Sequence, residues 1–430
     1  MTTLVVPLSD PEAADAARFG PKAASAGRLR AAGLPVPDGF CIDARAYRYQ
    51  LAALGLEAAA RGVMSAAGPE ARRHALALRL GLLERAVAPA VAEAVLPRWR
   101  ALTAAGRAGV VRSSALVEDR FGSSFAGQFD SYLDLTGQDE FLTALRACWA
   151  ALWSTRALRY MAGHGAGHGI DPAETAMGVL VQHLVAARVS GGGLSRTATG
   201  EMALSATWGL GAAIAQGEVV PDRIRLDRDL RVLDMETGRK AHRETCTHGL
   251  GRATRTVPRA LVCAPCLDAG EIAALGRLLL GAEAVIGGPV EIEWALDATG
   301  FKLLQARPLV VAEPAVPDEI WLRHPRLGGH PAGIGWGTGR AVVIACECEL
   351  PRVGPGDILV TRVAGPALSP VLPLVAGVVT ELGGSTSHLA SLARERGVPM
   401  VLGVAEATRR IPDGALVAVD GVAGVVRWMG

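Results

Sequence analysis

Two adjacent glycines, three hydroxyl residues and a histidine, Gly383-Gly384-Ser385-Thr386-Ser387-His388, lead into Leu389-Ala390-Ser391-Leu392-Ala393-Arg394-Glu395-Arg396; Gly397 and Pro399 follow. Few local structures satisfy such a string. The glycines permit a tight turn, the hydroxyls offer a helix cap, and the closing glycine and proline end a helix. The spacing predicts one amphipathic helix of about nine residues with His388 in its first turn. Unpaired N–H groups at a helix start attract anions, and a histidine near neutral pH is largely unprotonated. His388 could therefore accept a phosphoryl group on a ring nitrogen. A histidine in that place also serves merely as a cap or hydrogen-bonding group, and the local sequence leaves both open.

The remaining chain must supply the context. At 430 residues it exceeds an ordinary single core and implies two or three domains. Half of its residues are hydrophobic, enough for large cores and against disorder over most of its length. The 44 basic and 42 acidic residues nearly cancel, which leaves no general electrostatic case for a nucleic-acid partner. Met1–Asp10 lacks the basic and apolar regions of a signal peptide, and no uninterrupted apolar run approaches about 18 residues. The expectation is a cytoplasmic protein with no membrane partner. Seven cysteines, an odd number, then point to reduced thiols. Cys246, His248, Cys263 and Cys266 could form a small zinc site, with incidental thiols in a surface hairpin as the simpler reading.

In chain order, Gly20-Pro21-Lys22 precedes a helix, and a glycine-flanked lysine ahead of a helix can reach a phosphate. Residues 70–100 carry helical spacing and read as scaffold. Val110 and Val111 read as the end of a buried strand from which Arg112 leaves toward a loop. That loop, Ser123 to Leu133, is rich in small hydroxyl residues and glycine, which suits closure over a polyphosphate. Arg112 bonded to Glu118 or Asp119 is the structural alternative. Residues 139–161 predict one long helix with Trp149 and Trp153 in the core. Met177–Val185 is an apolar strand interrupted by Gln182 and His183, and Gly191-Gly192-Gly193 reads as turn-rich.

Pro289-Val290-Glu291-Ile292-Glu293-Trp294 alternates, placing Glu291 and Glu293 on one strand face. A turn at Ala298-Thr299-Gly300 returns the chain through Leu303-Leu304-Gln305-Ala306-Arg307, so Glu293, Gln305 and Arg307 are expected close together across a hairpin. Carboxylate and amide oxygens are hard ligands suited to Mg2+, and an arginine beside them suits a phosphate. A solvated acidic face is the alternative, but the apolar surroundings would make unpaired carboxylates expensive.

These four motifs, in this order, resemble the phosphoenolpyruvate synthase and pyruvate phosphate dikinase family, which includes rifampin phosphotransferase. The resemblance covers roughly residues 15–310 and 335–430. It implies an α/β (α+β) chain: an ATP-grasp nucleotide-binding domain over 1–312, a linker over 313–334 and a small swivelling phosphohistidine domain over 335–430. Matched motif to motif, it implies that Lys22 and Arg112 hold the ATP phosphates, with Gly127 and Ser131 in the covering loop. Gln182 would line the adenine side, Glu293 and Gln305 would ligate Mg2+, and Arg307 would contact phosphate. Glu291 and Thr386 are further candidates. His388 would take the β-phosphoryl group of ATP, with AMP as product, and pass it to an acceptor. A linker of about twenty extended residues could span roughly 65 Å, enough to carry a small domain between two sites.

Three departures bear on the acceptor. The resemblance contains no counterpart of the barrel that follows the histidine domain in phosphoenolpyruvate synthase. The acceptor domain that rifampin phosphotransferase inserts earlier has no counterpart either. Pro21 stands where the family usually has glycine, which would stiffen the Lys22 loop. The expectation is a dikinase-type phosphotransferase with a small-molecule acceptor bound between its domains. The alternatives are one subunit of a split enzyme with a separate acceptor subunit, or a nucleotide-binding regulator. The intact lysine, arginine, acidic pair and histidine argue against the regulator.

Overall fold

The computed structural model of the protein describes residues 3–65, 68–118, 129, 131–164, 176–246, 252–311, 321 and 323–429. Its packing divides into two compact units. One comprises Met1–Val185, Cys246–Ala253 and Lys302–Gln305; the other comprises Ala186–Thr245, Thr254–Phe301 and Ala306–Gly430. The expected linker, 313–334, lies partly outside the described residues.

The first unit is built on five strands: β1 (Val5–Pro7), β2 (Gly39–Ile42), β3 (Gly109–Ala115), β4 (Ser131–Leu135) and β5 (Met177–His183). They form an antiparallel sheet in the order β1-β2-β5-β3-β4. The helix Ala16–Ala31 lies so close that a side chain at Gly178 would strike the Phe19 carbonyl. On the opposite face Trp99 stacks on Phe141 with ring centroids 4.5 Å apart. Trp149 and Trp153 are buried as expected, and the Trp153 indole N–H donates to the Tyr47 hydroxyl at 2.7 Å.

Two local expectations are corrected here. Arg112 does not leave its strand: β3 runs on to Ala115, because Arg112 to Ala115 keep pairing with Leu180 to Met177 of β5. Residues 139–161 are not one helix but two, Gln138–Ala151 and Thr155–His164. Ser154 caps the second, its hydroxyl accepting from the Ala157 N–H at 3.1 Å, so its competition for backbone groups interrupts the run.

In the second unit the strands are β6 (Val189–Leu194), β7 (Met202–Trp208), β8 (Asp222–Leu226), β9 (Val232–Glu236), β10 (His242–Cys246), β11 (Arg252–Thr256), β12 (Val290–Asp297) and β13 (Gly300–Pro308). Within these strands Cys246 of β10, Arg252 and Ala253 of β11 and Lys302–Gln305 of β13 belong to the first unit. Six of these strands form a sheet ordered β13-β12-β6-β7-β8-β9, and β10 pairs with β11. The expected turn at Gly191–Gly193 is instead the middle of β6. The tertiary reason is clearest at Gly192, where an added Cβ would lie 2.5 Å from the Thr386 Cβ.

The C-terminal part adds β14 (Arg326–Gly328), β15 (His330–Pro331), β16 (Trp336–Ile344), β17 (Ile358–Thr361), β18 (Gly377–Thr380), β19 (Met400–Leu402), β20 (Leu416–Asp420) and β21 (Val425–Met429). Their order is β14-β21-β20-β16-β17-β18-β19-β15. β16 joins two halves: Trp336–Arg340 pair antiparallel with β20, while Ala341–Ile344 pair parallel with β17. Strands β17, β18 and β19 then run parallel, as hydrophobic segments buried on both faces do. A core of Ile358, Val360, Val379, Val401, Val417 and Val419 underlies them. Against the expectation of reduced thiols, Cys346 and Cys348 are joined in a disulfide. No helix among the described residues is long and apolar enough to cross a membrane.

Candidate active site

The helix carrying His388 spans His388–Arg396, as its local signals predict. Ser387 caps it, accepting from the Ala390 N–H at 3.3 Å, and Gly397 closes it in the left-handed region at φ 69°. The turn before it is pinned backbone to backbone: Gly383 N–H donates to the Val219 carbonyl at 3.1 Å. Gly383 itself sits at φ 110°, and a side chain at Gly384 would strike Pro221. Thr386 and Ser205 share a hydroxyl–hydroxyl bond of 2.7 Å, which holds the loop against β7.

Beneath this helix lies a buried ionic network. The Glu291 carboxylate accepts from Arg394 at 2.9 Å, from Arg307 at 3.0 Å and from the Ser391 hydroxyl at 3.1 Å. Arg307 also donates to Ser391. Arg394 donates in addition to the carbonyls of Ser385, at 2.6 Å, and Ala332, at 3.0 Å. One guanidinium thus ties the loop before His388, the helix and β12 together. Burial opposes ionisation of Glu291, yet the charges of Arg307 and Arg394 and the bonds from Arg394 and Ser391 outweigh it and hold the carboxyl below its ordinary value. Burial pulls Arg394 the other way, below the usual guanidinium range, with Glu291 resisting.

Around Lys22 the first unit is equally constrained. Gly20 adopts φ 78°, which breaks the helix Ala16–Ala31, and any side chain there would collide with the Ser114 carbonyl. Pro21 follows, suited to the first turn of the resumed helix. Lys22 then reaches Glu118 at 3.0 Å and the Ser113 carbonyl at 3.4 Å. Arg112 donates to the Leu304 carbonyl at 2.7 Å and to Gln305 Oε1 at 3.2 Å. Ser131 faces Arg112 across the β3–β4 pair, exposed at the strand start. Gln182 is buried, its amide donating to the Pro37 carbonyl at 3.1 Å. Gly127 lies outside the described residues.

Glu291 and Glu293 stand two apart on β12, the first buried and the second half-buried. Gln305 lies on β13, the next strand of the hairpin, and Asp297 fixes the turn between them by accepting from Thr299 N–H at 2.7 Å. A carboxylate and an amide oxygen fit Mg2+, which takes one or two protein oxygens and completes its shell with water and phosphate. Among the described residues no group of three or more His, Cys, Asp or Glu side chains is placed to hold a metal. His248 lies outside the described residues; Cys263 is exposed and Cys266 buried.

The sequence over residues 16–321 matches the family profile described as pyruvate phosphate dikinase, AMP/ATP-binding domain. The chain belongs to this family. A second profile, PEP-utilising enzyme, mobile domain, matches residues 353–424, so an ATP-binding domain is followed by a mobile domain in a mixed α/β chain. Similar proteins are the phosphoenolpyruvate synthases of Aeropyrum pernix and Pyrococcus furiosus. They are 32% and 30% identical, over 95% and 96% of this chain and 56% and 57% of their own. The phosphoenolpyruvate synthase of Escherichia coli is 29% identical over 94% of this chain and 55% of its own. The chain therefore spans a little over half the length of these relatives.

Three residues that the sequence alone did not single out belong to this geometry, Ser205, Ser391 and Arg394, and Glu118, read as a possible partner of Arg112, instead receives Lys22. For two of them a signal existed. Ser391 and Arg394 follow His388 at steps of three, which puts them near one face of the same helix.

Proposed function

We propose that this pyruvate phosphate dikinase family member is an ATP-dependent phosphotransferase of the dikinase type, with a phosphohistidine at His388. In this reading a ring nitrogen of His388 attacks the β-phosphorus of ATP. The N–P bond forms as the bond to the α-side bridging oxygen breaks, and AMP leaves with that oxygen. The γ-phosphoryl group departs to water or phosphate, and the remaining phosphoryl group passes from His388 to a small-molecule acceptor. The chemistry needs an unprotonated imidazole and a positive surround for the developing charge.

The chain's own residues divide that work. Lys22, Arg112 and Arg307 would neutralise the phosphates, Gly127 and Ser131 would belong to the covering loop, and Gln182 would line the base. Glu293 and Gln305 would hold Mg2+, which would draw charge from the phosphate oxygens when bound. Domains at 1–312 and 335–430, joined by 313–334, would carry the two halves. The observation that carries the reading is the anchoring of the His388 helix: Ser391 and Arg394 fasten it to Glu291, the neighbour by two of the proposed metal ligand Glu293.

The test is incubation with Mg2+ and ATP labelled at the β-phosphate. Acid-labile, base-stable label on the protein with stoichiometric AMP is expected, and both should vanish in His388→Ala. Label that persists in that variant would sink the phosphohistidine step; AMP without protein label would point to direct transfer.

A further inference from the structure

A cavity of about 210 Å³ opens at one end of the five-stranded sheet in the first unit. Arg30, Arg98, Asp38 and His183 give it its polar wall, and Phe40 and Leu102 part of its apolar one. Its volume lies below the roughly 300–1,000 Å³ of pockets that enclose larger ligands and suits a small metabolite. His183 follows Gln182 on β5, so the two side chains point to opposite faces of the sheet. The His183 imidazole thus lies on the strand face opposite Gln182, while Gly39, paired with Gln182 across β2–β5, adds backbone to the cavity wall.

Its charges are poorly spent within the protein. Arg30 is committed to Asp38 and to the Val36 carbonyl at 2.9 Å. Arg98, exposed on the helix Pro89–Thr103, has no hydrogen bond or ion pair among the described residues. The Nδ1 of His183 is buried and makes no hydrogen bond. Burial and the charge of Arg107 disfavour protonation of the ring, with Asp38 opposing them. An unpartnered guanidinium and an unsatisfied imidazole facing one cavity are the features of a site awaiting an anion.

We propose that this cavity binds a small phosphate-bearing anion, with Arg98 as its principal partner, Arg30 supporting it and His183 beside it. Phosphate suits the wall better than a monocarboxylate, because a dianion can face both guanidinium groups and still leave Arg30 its bond to Asp38.

The test follows the His183 ring resonances of the whole protein by NMR while inorganic phosphate, and separately glycerol 3-phosphate, replace chloride at constant ionic strength. Saturable shifts at or below about 5 mM are expected, with the His183 pKa raised by the bound negative charge. Arg98→Glu should weaken binding at least tenfold. Arg100→Glu, on the same helix but bonded to Gln138, should leave it unchanged. A response to phosphate but not to glycerol 3-phosphate would assign inorganic phosphate as ligand, and the converse the ester. No response at His183 to either, or equal binding by Arg98→Glu, would overturn the proposal. Phosphate bound near Lys22 and Arg112 would be insensitive to Arg98, so the two sites are told apart.

Discussion

Arg394 and Glu291 form a buried ion pair of 2.9 Å, each side chain 7% exposed, between the helix that begins at His388 and strand β12. Such a pair contributes little net stability, but removing one partner leaves a desolvated charge alone, at a cost of about 3–5 kcal/mol. Glu291→Ala is accordingly expected to lower the unfolding free energy by about that amount. It should also slow labelling of His388, because Arg394 no longer fixes the loop at Ser385. Glu291→Leu with Arg394→Met should recover part of the stability in denaturant unfolding, Arg307 still lacking its carboxylate, without recovering the labelling rate. Recovery of both would show that the pair does not position the helix.

His330 provides a pH-dependent contribution to stability. Burial, helped by the charge of Arg223, pushes its pKa down to about 4, against about 6.5 when unfolded. The unfolded chain therefore binds this proton first as pH falls. The stability associated with a neutral His330 is fully present above pH 6.5 and is lost progressively toward pH 4, by up to about 3 kcal/mol. Urea midpoints at pH 7.5, 6 and 5 should show this loss, and His330→Leu should flatten it. An unchanged slope in the variant would assign the acid sensitivity elsewhere.

Lys22 and Glu118 make the next pair, with the carboxylate side chain 1% exposed. A charge-assisted bond to phosphate is worth about 1.5–3 kcal/mol, so Lys22→Ala should weaken Mg2+–ATP binding by about 10–100-fold in calorimetry. Part of the variant's instability would come from the loss of the Lys22 ammonium beside Glu118. Adding Glu118→Gln should therefore restore the melting temperature but not the affinity. Affinity restored by the second substitution would place Lys22 in a purely structural role.

What the chain reveals by itself is what neighbours in sequence decide. The His388 helix was legible because its signals, Ser387 and Gly397, lie at its own ends. The β12–β13 hairpin was legible from alternation and its turn residues, and the family from four motifs in order. Arg394 was hidden: an arginine in Arg-Glu-Arg near a helix end reads as solvated, and its partner Glu291 lies 103 residues away. Glu118 was seen only as a possible partner of Arg112, because the bond to Lys22 closes over 96 residues. Gly191–Gly193 read as a turn since three glycines lower strand propensity, and only the approach of Thr386 from the far end of the chain explains one of them in a strand.

That approach yields the sharpest test of how His388 is placed. An added methyl at Gly192 would stand 2.5 Å from the Thr386 Cβ, well inside van der Waals contact, while Thr386 is held to Ser205 at 2.7 Å. Strand β6 is flanked by β12 and β7 and cannot retreat, so the loop before His388 must move instead. Overpacking of this kind costs about 1–3 kcal/mol. The effect on labelling should be larger than that cost implies, since a displacement near 1 Å of a reacting group can cost about 100-fold. Gly192→Ala should thus slow phosphorylation of His388 by at least about tenfold while the protein still unfolds cooperatively. Thr386→Gly removes the atom it strikes, so the double variant should regain most of the rate. A Gly192→Ala protein that labels at the original rate would show that His388 reacts from some other position of its loop.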